Sequence, residues 1–266
     1  MQRIRMMKKT MGLLLLILAS WCGYGAAQDI PAHIQAAVAD PIRPGSDTQR
    51  DPDRKPGQVL AFAGVKPGDK VGELMPGRGY FTKLFCKIVG DEGHVYTVNV
   101  TRSQSMGPPP GGGQGGGRPP MAQPEEQPSG EPCTNVTEDA HLAAEFQLPS
   151  GLDMVWTSEN YHDLYNAMFG SPDMLMFNRA VFDALKPGGV YMVEDHRAEA
   201  GSGSRDTDTY HRIDPQQVID DVTAVGFVLE AQSDVLNNPD DPLNVRTSEV
   251  EQGVSSKFLL KFRKPL

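Results

Sequence analysis

The apolar positions in the first half of the chain define a strand, a helix and a second strand. Lys70–Leu74 is a short apolar run that follows a Pro-Gly turn, which is typical of a buried strand. In Tyr80–Val89 the apolar residues recur on one face of a helix. Residues 94–100 are rich in β-branched side chains, which favour a strand. A unit of this length predicts two parallel strands joined by a right-handed crossover.

The same spacings continue through the second half of the chain. They predict strands at residues 152–157, 189–193, 227–231 and 257–262, and helices at residues 173–185 and 215–224. Because no helix precedes the strand at residues 257–262, it is expected to join its predecessor antiparallel. Residues 139–146 are short and ambiguous. The whole pattern predicts an α/β fold with a doubly wound, mostly parallel sheet and an antiparallel last strand.

The N-terminus has the layout of an export signal. Residues 1–27 begin with four basic residues, continue in an apolar run at residues 11–19 and end in small residues. The apolar run is shorter than the roughly 20 residues that a membrane-spanning helix needs. We therefore expect cleavage and a periplasmic or secreted protein, with an uncleaved membrane anchor as the alternative. No other contact with a membrane is predicted.

Three further regions follow this signal. Residues 28–54 are polar and interrupted by prolines, and are expected to form an extended N-terminal segment on the surface with one short helix at residues 32–39. Residues 55–266 are long enough for one domain with its own core. Within this domain, residues 107–132 consist largely of Gly, Pro and polar residues and can bury almost nothing, which predicts a disordered insertion.

Charge and cysteine content narrow the possible partners. The export signal holds four of the 25 Lys and Arg residues and none of the 34 acidic ones, so the mature chain has 21 basic residues and a net charge of −13. Such a surface repels phosphate backbones, so no nucleic-acid partner is predicted. Cys86 and Cys133 remain after cleavage. They either pair in an oxidising compartment or stay as a buried thiol and a loop thiol.

A glycine turn lies between the first predicted strand and the helix after it. Residues 71–79 read V-G-E-L-M-P-G-R-G, with the acidic Glu73 at the end of the strand. Glycines let a ligand approach the backbone, and the start of the following helix offers free N–H groups. The pattern favours a ligand pocket over a tight turn without a ligand.

Polar residues follow two of the later strands. They read N-Y-H-D at 160–163 and E-D-H-R at 194–197. His162 or His196 is a candidate general base, since the reference pKa of histidine is near neutral, and Asp163 or Asp195 is a candidate to orient it. The alternative is that these residues cap loops and form a structural hydrogen-bond network. They would also suit a divalent metal, but their spacing is not diagnostic and no metal is predicted.

These motifs resemble those of the class I S-adenosylmethionine-dependent methyltransferases, and more narrowly a group of exported bacterial predicted methyltransferases. The matching motifs are R-K-P at 54–56, E-L-M-P-G-R-G-Y at 73–80, N-Y-H-D at 160–163, D-H-R-A at 195–198, H-R-I-D at 211–214, N-P-D-D at 238–241 and K-F-L-L-K-F-R-K-P at 257–265. The resemblance spans residues 54–265 apart from the Gly/Pro insertion. It implies a Rossmann-like, seven-stranded sheet and S-adenosyl-L-methionine as the cofactor.

The resemblance also implies roles for single residues. Glu73 matches the acidic residue of the glycine motif, and Gly77 and Gly79 match its second and third glycines. Met75 stands where the first glycine is usual. Asn99 stands near the end of the second strand, where the family usually has an acid that holds the ribose hydroxyls; an amide is a weaker, uncharged acceptor.

In the strand order of this family the fourth and fifth strands are neighbours. The two polar motifs should therefore face one cleft beside the glycine turn. On this interpretation Glu73, Gly77, Gly79 and Asn99 line the donor. Asn160 approaches the reacting end together with His162, Asp195 and His196, and is counted among the cofactor-binding residues.

The first functional hypothesis is thus an exported methyltransferase that acts on a small-molecule acceptor, which the sequence does not identify. The donor is made in the cytoplasm, whereas the signal directs the protein outside it. This conflict motivates a second hypothesis, a periplasmic small-molecule-binding or accessory protein on the same fold. A third is a metal-assisted hydrolase that uses the His and Asp clusters.

Overall fold

The computed structural model describes residues 29–101 and 129–266. The predicted export signal and nearly all of the predicted Gly/Pro insertion lie outside the described residues. Within the described ranges, no helix is long and apolar enough to cross a membrane.

Seven strands and eight α-helices form in these ranges. The strands are β1 Lys70–Leu74, β2 His94–Thr101, β3 Val136–Leu142, β4 Leu152–Ser158, β5 Leu185–His196, β6 Val228–Ser233 and β7 Lys257–Arg263. The helices are α1 Ala32–Val38, α2 Gly45–Thr48, α3 Asp51–Arg54, α4 Pro56–Ala63, α5 Tyr80–Val89, α6 Met174–Ala184, α7 Thr207–Tyr210 and α8 Pro215–Thr223. Short 3-10 helices lie at Ala143–Glu145, His162–Tyr165 and Ala167–Phe169.

The strands form one seven-stranded sheet in the order β3-β2-β1-β4-β5-β7-β6. β1 pairs parallel with both β2 and β4, and β4 pairs parallel with β5. β7 lies between β5 and β6 and pairs antiparallel with both. The predicted fold class, with its antiparallel last strand, is confirmed.

Helices cover both faces of the sheet. Apolar residues of α1, α4 and α5 form one buried cluster with β1, β2 and β4. Residues of α6 and α8 form a second cluster with the other face. Trp156 on β4 is fully buried, and its ring lies 4.7 Å from that of Phe81 and 5.5 Å from that of Phe85. Packing of this kind fixes the carboxyl ends of β1 and β4 relative to α5.

Local signals explain the ends of several elements. α4 has Pro56 at its first position and ends at Gly64, which takes a left-handed conformation with φ 80°. The carboxylate of Asp214 caps α8 by accepting a hydrogen bond from the Gln216 N–H at 3.0 Å.

Two regions differ from the sequence predictions. Residues 136–142, which overlap the ambiguous residues 139–146, form edge strand β3, whose side chains are mostly exposed and so leave no alternation of apolar residues. Residues 29–54 were expected to run extended over the surface with one helix. The predicted helix forms as α1, but α2 and α3 follow it, and Ile34 and Ala37 of α1 are buried in the same cluster as α5.

Cys86 and Cys133 form a disulfide, with their Cα atoms 6.0 Å apart. The pairing links α5 to the segment that enters β3. Of the two alternatives left open by the sequence, the structure shows the paired one.

Candidate active site

The glycine turn between β1 and α5 is built from left-handed backbone conformations. Gly77 and Gly79 have φ angles of 59° and 73°, and Met75 has a φ angle of 46°. Met75 therefore adopts the conformation that glycine takes without strain, at a cost of order 1–3 kcal/mol for a residue with a side chain. The turn thus keeps a glycine-like path although its first glycine is missing. A Cβ added at Gly77 would meet nothing within 4 Å.

A cavity of about 350 Å³, here called the turn cavity, opens beside this turn at the carboxyl ends of β1 and β4. Its lining combines acidic, cationic and aromatic side chains, among them Glu73, Arg54, Arg78, Trp156, Glu159 and Asn160. The buried indole N–H of Trp156 has no hydrogen-bond partner among the described residues. A buried donor without a partner is costly, which makes it a candidate contact for a ligand.

Glu73 lies at the end of β1 with 3% of its surface exposed. Its carboxylate accepts a hydrogen bond from Thr82 Oγ1 at 2.5 Å. Burial away from water raises the pKa of Glu73 to about 7, against the opposing effects of Thr82, Lys83 and Arg54. The group can therefore carry a charge or a proton near neutral pH.

A second cleft, of about 620 Å³, shares the lining residues 76–78 with the turn cavity and is here called the β2–β3 cleft. Asn99 lines it together with Gly79, Thr97 and Cys133. Glu138 of β3, which pairs with Thr97 across the strands, also lines this cleft. An acidic side chain on the neighbouring strand thus lines the same cleft as Asn99, which the sequence did not indicate.

Asn160 borders the turn cavity, but its amide is bonded within the protein. Its Nδ2 donates to the carbonyl oxygens of Leu74 at 3.3 Å and Met75 at 3.0 Å. Its Oδ1 accepts a hydrogen bond from Thr157 Oγ1. These bonds tie the end of β4 to the glycine turn, so the structure gives Asn160 a positioning role.

A polar cleft of about 580 Å³ adjoins the turn cavity, and both are lined by Arg50, Arg54 and Glu159. Glu159 bonds to Arg54, and its Oε1 lies 2.5 Å from Lys257 Nζ. Burial would raise the pKa of Glu159, but Lys257 and Arg54 outweigh it and hold that pKa well below its usual range. Glu159 is thus a carboxylate at the boundary of the two cavities. It also adopts a left-handed conformation with φ 59°.

His196 faces the polar cleft. Its Nδ1 lies 2.7 Å from Ser255 Oγ. Burial lowers the pKa of His196 to about 4, although Glu159 and Asp195 act in the opposite direction. The imidazole is therefore neutral at pH 7.

His162 and Asp163 take part in a separate cluster. His162 Nδ1 lies 2.7 Å from Asp195 Oδ1, and the backbone N–H of His162 donates to Asp195 Oδ2 at 2.8 Å. The Nε2 atom of His162 lies 3.3 Å from His211 Nδ1 and 3.4 Å from Asp163 Oδ1. Burial lowers the pKa of His162, but the Asp195 and Asp163 carboxylates outweigh it and raise it overall.

The structure therefore brings some of the predicted site residues together and separates others. Glu73 and Gly77 share the turn cavity, Gly79 and Asn99 share the β2–β3 cleft, and His196 lines the polar cleft. His162 instead turns to His211, with Asp195 fully buried behind it.

Solved structures of methyltransferases are similar to this chain in fold. The chain is similar to a SAM dependent methyltransferase from Aquifex aeolicus, with 17% identity, a TM-score of 0.50, and coverage of 83% of this chain and 98% of that chain. It is also similar to an arsenic(III) S-adenosylmethionine methyltransferase from Chlamydomonas reinhardtii, with 15% identity, a TM-score of 0.51, and coverage of 89% and 74%. The fold is that of the class I methyltransferases. No protein-family model and no curated protein matches the chain.

Within the methyltransferase fold, the turn cavity lies where β1 and β4 end, which is where ligands bind in open α/β sheets. Three residues that the sequence analysis did not single out border it or the adjoining cleft: Arg54, Glu159 and Lys257. The R-K-P and K-F-L-L-K-F motifs contain Arg54 and Lys257. The motifs could therefore have drawn attention to these two residues. Their positions in the sequence do not show that both side chains contact the carboxylate of Glu159.

Proposed function

We propose that this protein is an S-adenosylmethionine-dependent methyltransferase that acts on a small-molecule acceptor. The observation that carries the proposal is the turn cavity, which sits beside a glycine turn at the carboxyl end of β1 and combines opposite charges within one small volume. The fold similarity supports the same assignment.

The residues around the turn fit the parts of S-adenosyl-L-methionine. Its amino-acid end carries an ammonium group, which matches the carboxylate of the buried Glu73. It also carries a carboxylate, which matches the arginines of the turn cavity and the unpartnered N–H of Trp156. Its ribose hydroxyls match Asn99 and Glu138 in the β2–β3 cleft. Gly77 leaves the backbone between the two cavities open to close approach.

When bound, the cofactor supplies an electrophilic methyl group, and transfer needs mainly alignment of donor and acceptor. We assign the acceptor to the polar cleft, because that cleft adjoins the turn cavity at Arg54 and Glu159. His196, neutral at pH 7, can accept a hydrogen bond from an acceptor hydroxyl or amine there and so orient it, although its pKa of about 4 makes it a weak base. Lys257 and Arg54 keep Glu159 charged at the boundary.

We further propose that the protein is exported, as the exported bacterial group it resembles would be. The layout of residues 1–27 supports export. The Cys86–Cys133 disulfide also supports it, since disulfides persist mainly in oxidising compartments. Fractionation of cells that produce the full chain tests this: a periplasmic or secreted product that begins near Gln28 is expected, and a full-length cytoplasmic product would contradict export.

Calorimetric titration with S-adenosylmethionine and S-adenosylhomocysteine tests the cofactor assignment. We expect micromolar affinity in the protein that begins at Gln28, and a loss of at least tenfold in Gly77→Leu, because the new side chain enters open space beside the cavity. Gly68→Leu is the matched control. Gly68 also has a positive φ, of 84°, and open space around it, but it lies in the turn before β1.

Binding that Gly77→Leu leaves unchanged would place the cofactor elsewhere. No binding of either compound would refute the proposal and favour a binding or accessory role on this fold.

A further inference from the structure

Three side chains of types that often bind metals lie close together at the carboxyl end of β4, outside the elements assigned to the cofactor. His162 and Asp163 belong to the 3-10 helix that follows β4, and His211 follows α7. One ligand atom from each residue lies within 4.8 Å of the other two. We propose that His162, Asp163 and His211 form a binding site for one divalent transition-metal ion, with Zn²⁺ as the best match.

The spacing of the ligand atoms fits a single ion. His162 Nε2 lies 3.3 Å from His211 Nδ1 and 3.4 Å from Asp163 Oδ1, and the last two atoms lie 3.6 Å apart. Ligand atoms about 2.0–2.1 Å from a tetrahedral zinc are about 3.4 Å apart, so the observed triangle has the size of one face of that tetrahedron. Two imidazoles and one carboxylate are also a donor set that suits zinc and other first-row transition metals.

The orientation of His162 supports this site. Its Nδ1 lies 2.7 Å from a carboxylate oxygen of Asp195, a residue with no exposed surface. An N–H at Nδ1 that donates to this carboxylate leaves the lone pair on Nε2 free to bind a metal. A carboxylate behind a ligating histidine is the usual arrangement around protein-bound zinc, where it fixes both the ring and its tautomer.

The backbone around His211 is held firmly in place. His211 has a left-handed conformation, with φ 53°, and such strain persists only where the surroundings impose it. The next residue, Arg212, forms a fully buried ion pair with Asp241 through two hydrogen bonds of 2.7 Å and 2.9 Å. This anchor fixes the loop that presents the imidazole.

The site is also accessible from solvent. The side chains of Asp163 and His211 are 25% and 30% exposed, whereas that of His162 is 3% exposed. An ion bound at this point would have a buried ligand on one side and an open coordination position on the other. Three protein ligands with one open position are typical of catalytic rather than structural zinc sites.

The test uses the protein that begins at Gln28, stripped with a chelator and titrated calorimetrically with Zn²⁺. We expect one site per chain and a raised melting temperature on binding. Co²⁺ bound in place of zinc should give the intense visible absorption of a tetrahedral complex. His211→Ala and Asp163→Asn should each weaken Zn²⁺ binding at least a hundredfold. Both positions are partly exposed, so metal-free unfolding curves will show whether the variants fold.

His141→Ala is the matched control. His141 pairs with Asp139 at 3.1 Å on edge strand β3. This variant therefore removes a histidine that lies beside a carboxylate but outside the proposed three-residue site. We expect its Zn²⁺ affinity to equal that of the unchanged protein. The proposal is overturned if the protein binds no Zn²⁺, or if the folded His211→Ala and Asp163→Asn variants bind it as tightly as the unchanged protein. Because the readout is metal binding alone, the result does not depend on whether S-adenosylmethionine binds.

Discussion

Replacement of Cys133 by serine tests how strongly the Cys86–Cys133 disulfide supports this fold. The disulfide closes a loop of 47 residues that contains β2 and the Gly/Pro-rich segment. In the chain-entropy account, a cross-link stabilises the folded state by restricting the unfolded chain, and a loop of this length corresponds to about 4 kcal/mol. We therefore expect Cys133→Ser to lower the free energy of unfolding by about that amount.

The length of the loop provides an internal check on the mechanism. Deletion of residues 107–128 would shorten the closed loop from 47 residues to about half of that. Because the closure entropy depends on the logarithm of the loop length, the disulfide should then contribute about 0.6 kcal/mol less than before. If the stabilisation came from contacts around the sulfur atoms instead, the deletion would leave the effect of Cys133→Ser unchanged.

Urea denaturation followed by far-UV circular dichroism measures these differences. Four proteins are compared: the unchanged mature chain and the deletion, each with and without Cys133→Ser. The unchanged chain in a reducing agent is the control and should match Cys133→Ser. A difference below about 1 kcal/mol between the oxidised protein and Cys133→Ser would refute the entropic argument. Cys133 also lines the β2–β3 cleft, so the variant should bind S-adenosylhomocysteine more weakly.

Two further predictions concern buried carboxyl groups. Glu73 has a pKa of about 7 in the folded protein against 4.5 without burial, so its contribution to stability is complete below pH 4.5 and is lost as the pH rises through 7. The loss is about 3 kcal/mol. Glu73→Gln should reduce the pH dependence of the unfolding free energy between pH 4 and 8 by that amount, whereas the exposed control Glu92→Gln should leave it unchanged. Glu159→Gln removes the carboxylate that Arg54 and Lys257 share and should cost about 3–5 kcal/mol. Chemical denaturation at pH 7 measures this cost, and a change below about 1 kcal/mol would show that water already screens the cluster.

Most of the sheet could be predicted from the sequence because its strands are buried. β1, β4 and the central residues 189–193 of β5 are apolar runs flanked by turn residues, and this pattern predicted them. β5 itself extends over Leu185–His196, so Glu194, Asp195 and His196 lie within the strand and do not follow it as predicted. The antiparallel β7 followed from the absence of a helix before it. β3 could not be predicted in the same way, because an exposed edge strand carries no pattern of apolar residues.

The sequence predicted where the candidate site lies, at the carboxyl ends of the strands, but not which side chains meet there. The rule that ligands bind at the carboxyl ends of parallel strands placed Glu73 and His196 beside cavities. The partners of these residues come from distant parts of the chain. Arg54 and Glu159 are 105 residues apart, and His162 and His211 are 49 residues apart. Local periodicity holds no information about such pairs. The strand-end rule predicts that His162 lies near the 194–197 motif, where Asp195 does contact it, but it does not predict the contact with His211.

Glu159 lies where the turn cavity and the polar cleft meet. The turn cavity and the polar cleft have Arg50, Arg54 and Glu159 in common, so groups bound in the two cavities would meet beside these three side chains. Glu159 is held there by ion pairs to α3 on one side and to β7 on the other. An acceptor that reaches a donor in the turn cavity must therefore either fit beside these ion pairs or replace them. Replacement would leave buried charges unpaired, at a cost of several kcal/mol, unless the acceptor itself supplies an anionic group to the two cations.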